Sequence, residues 1–285
     1  MPPMKETSPL RRKLGIELRR LREAVKMTAD EAAEQLELSA STISRSETGK
    51  VNVHPRDVDA MLRIYGLTDE RKREALLALA RKSRERGWWH AYRNVLAPDV
   101  VSHISIEDGA NQIRSFQTML VPGLLQTEDY SRAVAAIFPR PEPPDVVDQQ
   151  VEIRQRRQEI LRRHDTVPLH VILDESVLHR PIGGVEVMRE QLRHLLELAE
   201  GPEVTLQVTD YATGAYAGLG GPFTLFGFAE PMDLAIVHVE NQRSFFLIED
   251  EDDIRHYEVV FHRVQKSALP VAESSALVKR IAEGL

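Results

Sequence analysis

Residues 38–50 read LSASTISRSETGK, a run in which small hydroxyl side chains surround one aliphatic residue and one arginine. Serine and threonine are among the poorer helix formers, yet Ser39 stands as an N-cap and Gly49 as a stop, which brackets a short helix. Wound at about 100° per residue, this helix turns Ile43 inward. Ala40 and Glu47 lie near Ile43 and Ser46 flanks it, while Ser41, Ser44, Arg45 and Thr48 project outward. Small outward side chains let a helix sink into the major groove of DNA, and the guanidinium of Arg45 can meet a guanine edge bidentately. Ser39 and Thr28 cap helices where backbone N–H groups and hydroxyls could meet phosphates, with Thr48 and Lys50 beside them. A solvated surface helix whose serines do nothing is the alternative that this run alone leaves open.

The elements that must position this surface are legible in the first third of the chain, which reads as five short helices. Ser8 and Pro9 give a cap and a first-turn proline, followed by Leu10, Leu14, Leu18, Leu21 and Val25 at helical spacing. Thr28 and Glu31 form a capping box for the second helix. Two helices of about eight residues joined by a tight turn make a helix-turn-helix unit. Ala33 is the small residue at their crossing, with Leu36, Leu38 and Ile43 beneath. Pro55 opens a fourth helix, with Val58, Met61, Leu62 and Tyr65 as its stripe, and Thr68 caps a fifth running to about Arg86. Glu47 points inward and needs a partner.

Charge separates the same third from the rest. Residues 1–86 hold 19 Lys and Arg against 14 Asp and Glu, and the remainder 18 against 30, so a formal net charge of −7 conceals a basic head and an acidic body. Only the head suits a polyanion. The absence of cysteine excludes disulfides, thiolate metal sites and cysteine nucleophiles, and suits a reducing cytoplasm. No apolar run approaches the roughly 18 residues of a membrane span, and the start, MPPMKETSPLRRK, has no apolar core of a secretory signal. The adjacent tryptophans of RGWWHAYRN are expected to pack one to each side of a junction, dividing the chain into 1–86 and 87–285.

The stretch LRRLREAVKMTADEAAEQLELSASTISRSETGK, within residues 10–67, resembles the Cro/C1-type (Xre) helix-turn-helix domain. The resemblance implies base contacts by Ala40, Ser41, Ser44 and Arg45, and a structural ion pair in which Arg22 answers Glu47. Glu37 departs from the family, which often has glycine in the turn; a left-handed glutamate there costs about 1 kcal/mol.

Beyond the junction the chain reads as an α+β domain, with a mainly antiparallel sheet of about five strands bracketed by helices. Helices are expected at 107–118, 126–137, 145–164, 185–200, 251–267 and 270–283. Strands are expected in PLHVILDE and EVTLQVTD and at 222–228, 233–240 and 244–249. RPEPP at 140–144 reads as a linker. The segments VPGLLQTEDYSRA, EIRQRRQEIL, LDESVLHRPIGGVEVMREQLRHLLELA and GPFTLFGFAEPMDLAIVHVE resemble the uncharacterised C-terminal domain of antitoxin-like bacterial regulators. That resemblance implies regulation and a small partner protein.

Several candidate sites in this domain are weaker. TGAYAGLGG at 213–221 opens no helix after a strand and so is no dinucleotide fingerprint; it reads as a structural loop, with Tyr211 and Tyr216 as candidate ligand or partner contacts. EDEDD at 249–253 matches no hand-type calcium loop and reads as carboxylates opening a helix. Arg154, Arg156, Arg157, Arg162 and Arg163 read as a solvated face balanced by Glu152 and Glu159; Arg154 and Arg157 are candidate contacts for an acidic partner or phosphate. His238 reads as a core histidine. Asp174, Glu175 and Glu186 would form an acid/base couple only if the fold brought them together. No GxxxxGK[ST], HExxH or GxSxG signature is present.

The expectation is therefore a cytoplasmic transcriptional regulator that binds a double-stranded operator as a homodimer. Its second domain would respond to a small partner protein or a small-molecule effector, with no enzymatic activity, cofactor or metal. The alternatives are an antitoxin-like protein that neutralises a small partner and autoregulates, and an enzyme with a DNA-targeting head.

Overall fold

The computed structural model describes residues 8–85, 87–92, 96–137, 144–162, 166–228, 234–240 and 245–285. They form two compact units, one of residues up to Gly109 with Phe228 and Leu234, the other of Ala110–Gly227 and Ala235–Leu285. RPEPP and Arg163 fall mainly or wholly outside the described residues.

Unit 1 is helical: α1 (Pro9–Ala24), α2 (Ala29–Gln35), α3 (Ala40–Glu47), α4 (Pro55–Ile64), α5 (Glu70–Lys82) and α6 (Pro98–Gly109), with a 3-10 turn at Trp88–Tyr92. Thr28 and Glu31 close the capping box and Ser39 accepts from Thr42 N–H, so α2 and α3 begin where local chemistry dictates. Ser8 makes no side-chain cap; its carbonyl accepts from Arg12 N–H instead. Asp69, not Thr68, caps α5, because its carboxylate reaches two N–H groups, of Arg71 and Lys72. Leu10, Leu14, Leu18, Ile43, Val58, Met61, Leu62 and Leu76 fill the core, but Leu38 is exposed, because its N–H closes the end of α2 on the Ala33 carbonyl and holds it in the turn. The two tryptophans do not divide between units. They pack edge to face at 6.0 Å, both in unit 1.

Unit 2 holds β1 (Gln112–Gln117), α7 (Glu128–Ile137), α8 (Pro144–Arg157), β2 (Leu169–Asp174), a short α9 (Ser176–His179), α10 (Val185–Ala199), β3 (Val204–Thr209), β4 (Phe223–Gly227), β5 (Ala235–Glu240), β6 (Phe245–Ile248), α11 (Glu251–Ser267) and α12 (Val271–Gly284). The sheet has six strands in the order β3-β2-β1-β4-β5-β6. This corrects the expectation of about five mainly antiparallel strands in two ways. The segment expected as a helix at 107–118 divides into the end of α6 and β1, which runs between β2 and β4 with Ile113 and Phe116 buried. In addition, β1, β2 and β3 are mutually parallel, because helices intervene between them and a helical crossover returns the chain in the same direction. β4, β5 and β6 are antiparallel. The helix expected at 145–164 ends at Arg157 and continues as a 3-10 turn, Gln158–Leu161.

The face of the sheet carrying Phe116, His170 and Phe223 lies under α11, where Phe261 meets His170 edge-on at 5.2 Å and Phe223 at 6.4 Å. Asp250 caps α11 through the Asp252 and Asp253 N–H groups, which accounts for EDEDD. His238 is buried and stacked on Phe245. Among the described residues no helix is long and apolar enough to cross a membrane.

Candidate nucleic-acid interface

The side of α3 that faces the core is fixed by three contacts. Ile43 is fully buried. Arg22, on α1, meets Glu47 with a two-pronged pair, Nε–Oε1 at 2.6 Å and Nη2–Oε2 at 2.8 Å, and its Nη1 donates to the Met27 carbonyl at 2.6 Å. The hydrogen bonds to Glu47 raise the pKa of Arg22 despite burial, so the guanidinium stays charged and the fork geometry holds the end of α3 to the end of α1. Third, α1 and α3 touch backbone to backbone: a Cβ on Gly15 would stand 2.5 Å from the Glu47 carbonyl oxygen and 2.7 Å from that of Ser46. Gly15 is the small residue at this crossing. The sequence shows it only as a glycine inside a helix, where it costs on the order of 1 kcal/mol relative to alanine.

The opposite side carries the candidate contacts. Ser41, Ser44, Arg45 and Thr48 are exposed and Ala40 is half-buried. Arg45 lies along its own helix, with Nε donating to the Ser41 carbonyl at 3.1 Å; no other partner answers its guanidinium among the described residues. Ser39 Oγ accepts from Thr42 N–H at 3.2 Å and stands 2.9 Å from the hydroxyls of Ser41 and Thr42. Thr48 Oγ1 donates back to the Ser44 carbonyl at 2.8 Å. At the end of α3, Gly49 (φ 67°) and Lys50 donate their N–H groups to the Ser46 and Arg45 carbonyls, which leaves the Lys50 side chain in solvent. Thr28 differs from the others: its hydroxyl and N–H both donate to Glu31 at 2.8 and 2.7 Å, so a carboxylate already covers the start of α2. Glu37 sits at φ 54°, closing α2 with the hydrogen bonds that Gly49 makes for α3.

In unit 2 the structure brings some sequence candidates together and separates others. Arg154 is not on a solvated face. It is half-buried, donates to Gln126 Oε1 at 2.8 Å, and is pulled down to about 10 by desolvation and then by Arg157. Gln126, which no sequence signal singled out, is the hub of a buried amide network. Its Nε2 donates to the Val121 carbonyl, its Oε1 also accepts from Ser131, and its own carbonyl takes Gln158 Nε2 at 2.6 Å. Gln191 bridges the Leu125 carbonyl and Thr127 N–H. Glu186 is exposed and paired with Arg189, and among the described residues no hydrogen bond joins it to Asp174 or Glu175. Those two carboxylates lie at the end of β2. Asp174 accepts from Tyr216 Oη at 2.6 Å, and Glu175 from the Tyr211 N–H at 2.7 Å. Residues 211–221 form a loop of two 3-10 turns, Tyr211–Thr213 and Ala217–Gly220, each followed by a glycine at positive φ, Gly214 and Gly221. Among the described residues no cluster of three His, Asp or Glu could hold a metal ion.

A family model described as a helix-turn-helix domain matches residues 13–76, and one described as a domain of unknown function (DUF5753) matches residues 100–280. Neither a curated protein nor a solved structure matches the chain.

Proposed function

The chain belongs to the family of the DUF5753 domain of unknown function and carries a helix-turn-helix domain ahead of it, and from that premise we propose a Cro/C1-type transcriptional regulator that reads a specific duplex sequence. The observation that carries the reading is the two-sidedness of α3. One side is held by Ile43, the Arg22–Glu47 pair and the backbone contact at Gly15, while the other offers only small polar side chains and Arg45. A helix held this firmly keeps Ala40, Ser41, Ser44 and Arg45 in register with base edges, with Ser39, Thr48 and Lys50 toward phosphates; Thr28 drops out of that set because Glu31 occupies its donors. A head of this size spans few base pairs, so two copies binding half-sites one helical turn apart are the geometry that gives adequate specificity. Unit 2 then supplies the response, to a small partner protein or a small-molecule effector. An effector acts only if it binds differently to two arrangements of the dimer.

The test is a gel shift on the protein's own upstream region at several salt concentrations. Arg45→Ala should cost about 1–3 kcal/mol at one base position. Equal loss on unrelated duplexes would make Arg45 a phosphate contact, and a wild-type chain that binds unrelated duplexes as tightly as its upstream region would overturn the regulator reading.

A further inference from the structure

We propose that the carboxyl-terminal ends of β2 and β3 in unit 2 form a binding site for an organic cation, a ligand bearing a guanidinium or ammonium group. Because β1, β2 and β3 are parallel, the residues that follow them share one edge of the sheet, the edge at which sheets with helical crossovers gather ligands. Asp174 and Glu175 stand there side by side. Asp174 takes bonds from Ser176 N–H at 3.0 Å, Ser176 Oγ at 2.5 Å and Tyr216 Oη at 2.6 Å. Glu175 takes bonds from the Tyr211 N–H at 2.7 Å and His179 Nε2 at 3.0 Å. Among the described residues no Lys or Arg forms an ion pair with either carboxylate; the exposed Arg180 comes near enough to act on Tyr211 but pairs with neither. Burial pushes the Asp174 carboxyl up, but the Ser176 and Tyr216 bonds outweigh it and leave its pKa lowered. The Asp174 carboxylate is thus held ionised by neutral donors, and Glu175 beside it is met by a backbone N–H and an imidazole, so both have lone pairs to spare and neither has a Lys or Arg counter-charge among the described residues.

Two further observations point to a ligand. Thr209 Oγ1 is fully buried and has no hydrogen-bond partner, and Thr209 is the ladder partner of Asp174, so the two side chains share a face. An unanswered buried hydroxyl is costly, and an N–H-rich cation is the kind of group that answers it together with the carboxylates. Beside it, Tyr211 is 61% exposed and stacks on His179 at 5.8 Å, so one ring face is covered and the other open. An open aromatic face next to two carboxylates suits a cation. A bare metal ion does not fit, since no three-ligand group is present among the described residues.

The site is inferred from unit 2 alone; only its use as a regulatory input rests on the function proposed above. The test is calorimetry on the full chain with agmatine as the probe and glutarate as the anionic control. Saturable agmatine binding is expected, with no heat from glutarate. Glu175→Gln should weaken binding about tenfold, and Tyr211→Ala, at an exposed position, severalfold with an unchanged melting temperature. The absence of saturable heat up to about 10 mM agmatine, or equal affinity in both variants, would overturn the site. Repeating the gel shift with and without agmatine separates the two readings. Binding with unaltered operator affinity supports the site and removes its regulatory role, whereas no operator binding either with or without agmatine, while agmatine itself still binds, counts against the head alone.

Discussion

Among the described residues, the polar side chains buried in unit 1 are mostly of charged types, and those buried in unit 2 are amides, hydroxyls and one histidine. In the first, Lys13, Glu17, Arg22, Glu47 and Glu107 are all buried; in the second, the set is Ser115, Gln126, Ser131, Gln158, Gln191, Gln207, Thr209, Thr224, His238 and Ser274. Glu17 alone meets Lys13 at 3.3 Å, Arg20 at 3.2 Å and Lys72 at 3.6 Å. A buried ion pair is weak as net stabilisation but costs much when one partner is removed, so it enforces one arrangement of helices more than it strengthens it. That suits a head whose α3 must present one face in one orientation. Amides satisfied by nearby carbonyls tolerate more, and unit 2 uses them to close loops around 3-10 turns and strand ends.

The largest effect that separates the two strategies is expected at Glu47. Glu47→Ala leaves the buried Arg22 guanidinium without its two-pronged partner and should destabilise unit 1 by about 3–5 kcal/mol, read as a shift in its denaturant midpoint. An unchanged midpoint would show that water or Tyr65, whose buried hydroxyl has no hydrogen-bond partner and is pushed up to about 12 by burial, takes over the role. Gln126→Leu is the matching change in unit 2. It leaves the Val121 carbonyl, the Ser131 hydroxyl and Arg154 each short of a partner, and should cost about 1–3 kcal/mol. A loss as large as that at Glu47 would erase the contrast between the units.

The same contrast governs pH. Burial lowers the pKa of His170 and of His194, in unit 2, below the ordinary histidine value of 6.5. Their neutral forms are favoured in the fold, so as pH falls below 6.5 the unfolded chain takes up protons first and the stability they support declines. Unit 2 should therefore melt earlier at pH of about 5.5 than at about 7. His170→Gln, which keeps a donor for Gln207 Oε1 at the 2.8 Å position, should flatten that slope. An equal slope in the variant would assign the titration to other groups.

Unit 1 was readable in the sequence because its signals are local. Thr28 with Glu31, Ser39, and Pro55 each act within one turn of the backbone they cap. What escaped there is the contact at Gly15, because its reason lies in the carbonyls of Ser46 and Glu47, brought near only by tertiary packing. In unit 2 the strands with strict alternation or continuous apolar runs were legible. β1 was not, since QIRSFQ acquires its conformation by lying between β2 and β4, and local propensity is easily overridden in a central strand. The Asp174–Tyr216 bond and the bonds that Gln126 takes from Arg154 and Gln158 join residues more than twenty positions apart and leave no spacing to read.

The smallest expected effect concerns a place where the two kinds of signal meet. Helices α1, α2, α3 and α4 all end in the same pattern, a left-handed residue whose N–H and whose successor's N–H satisfy the last carbonyls. Gly49 and Gly66 occupy that position after α3 and α4, at φ 67° and 69°, while Lys26 and Glu37 occupy it after α1 and α2, at 58° and 54°. A left-handed side chain costs about 1–2 kcal/mol, and glycine returns about 0.5–1 kcal/mol of that through the entropy of the unfolded chain. Glu37→Gly should therefore stabilise unit 1 by somewhat under about 1 kcal/mol, whereas Gly49→Ala should destabilise it by a similar or larger amount. If Glu37→Gly instead destabilises, the glutamate side chain contributes at the turn between α2 and α3 beyond its backbone role. Comparing operator affinity of that variant with wild type would then show whether the contribution is to folding or to the placement of α3.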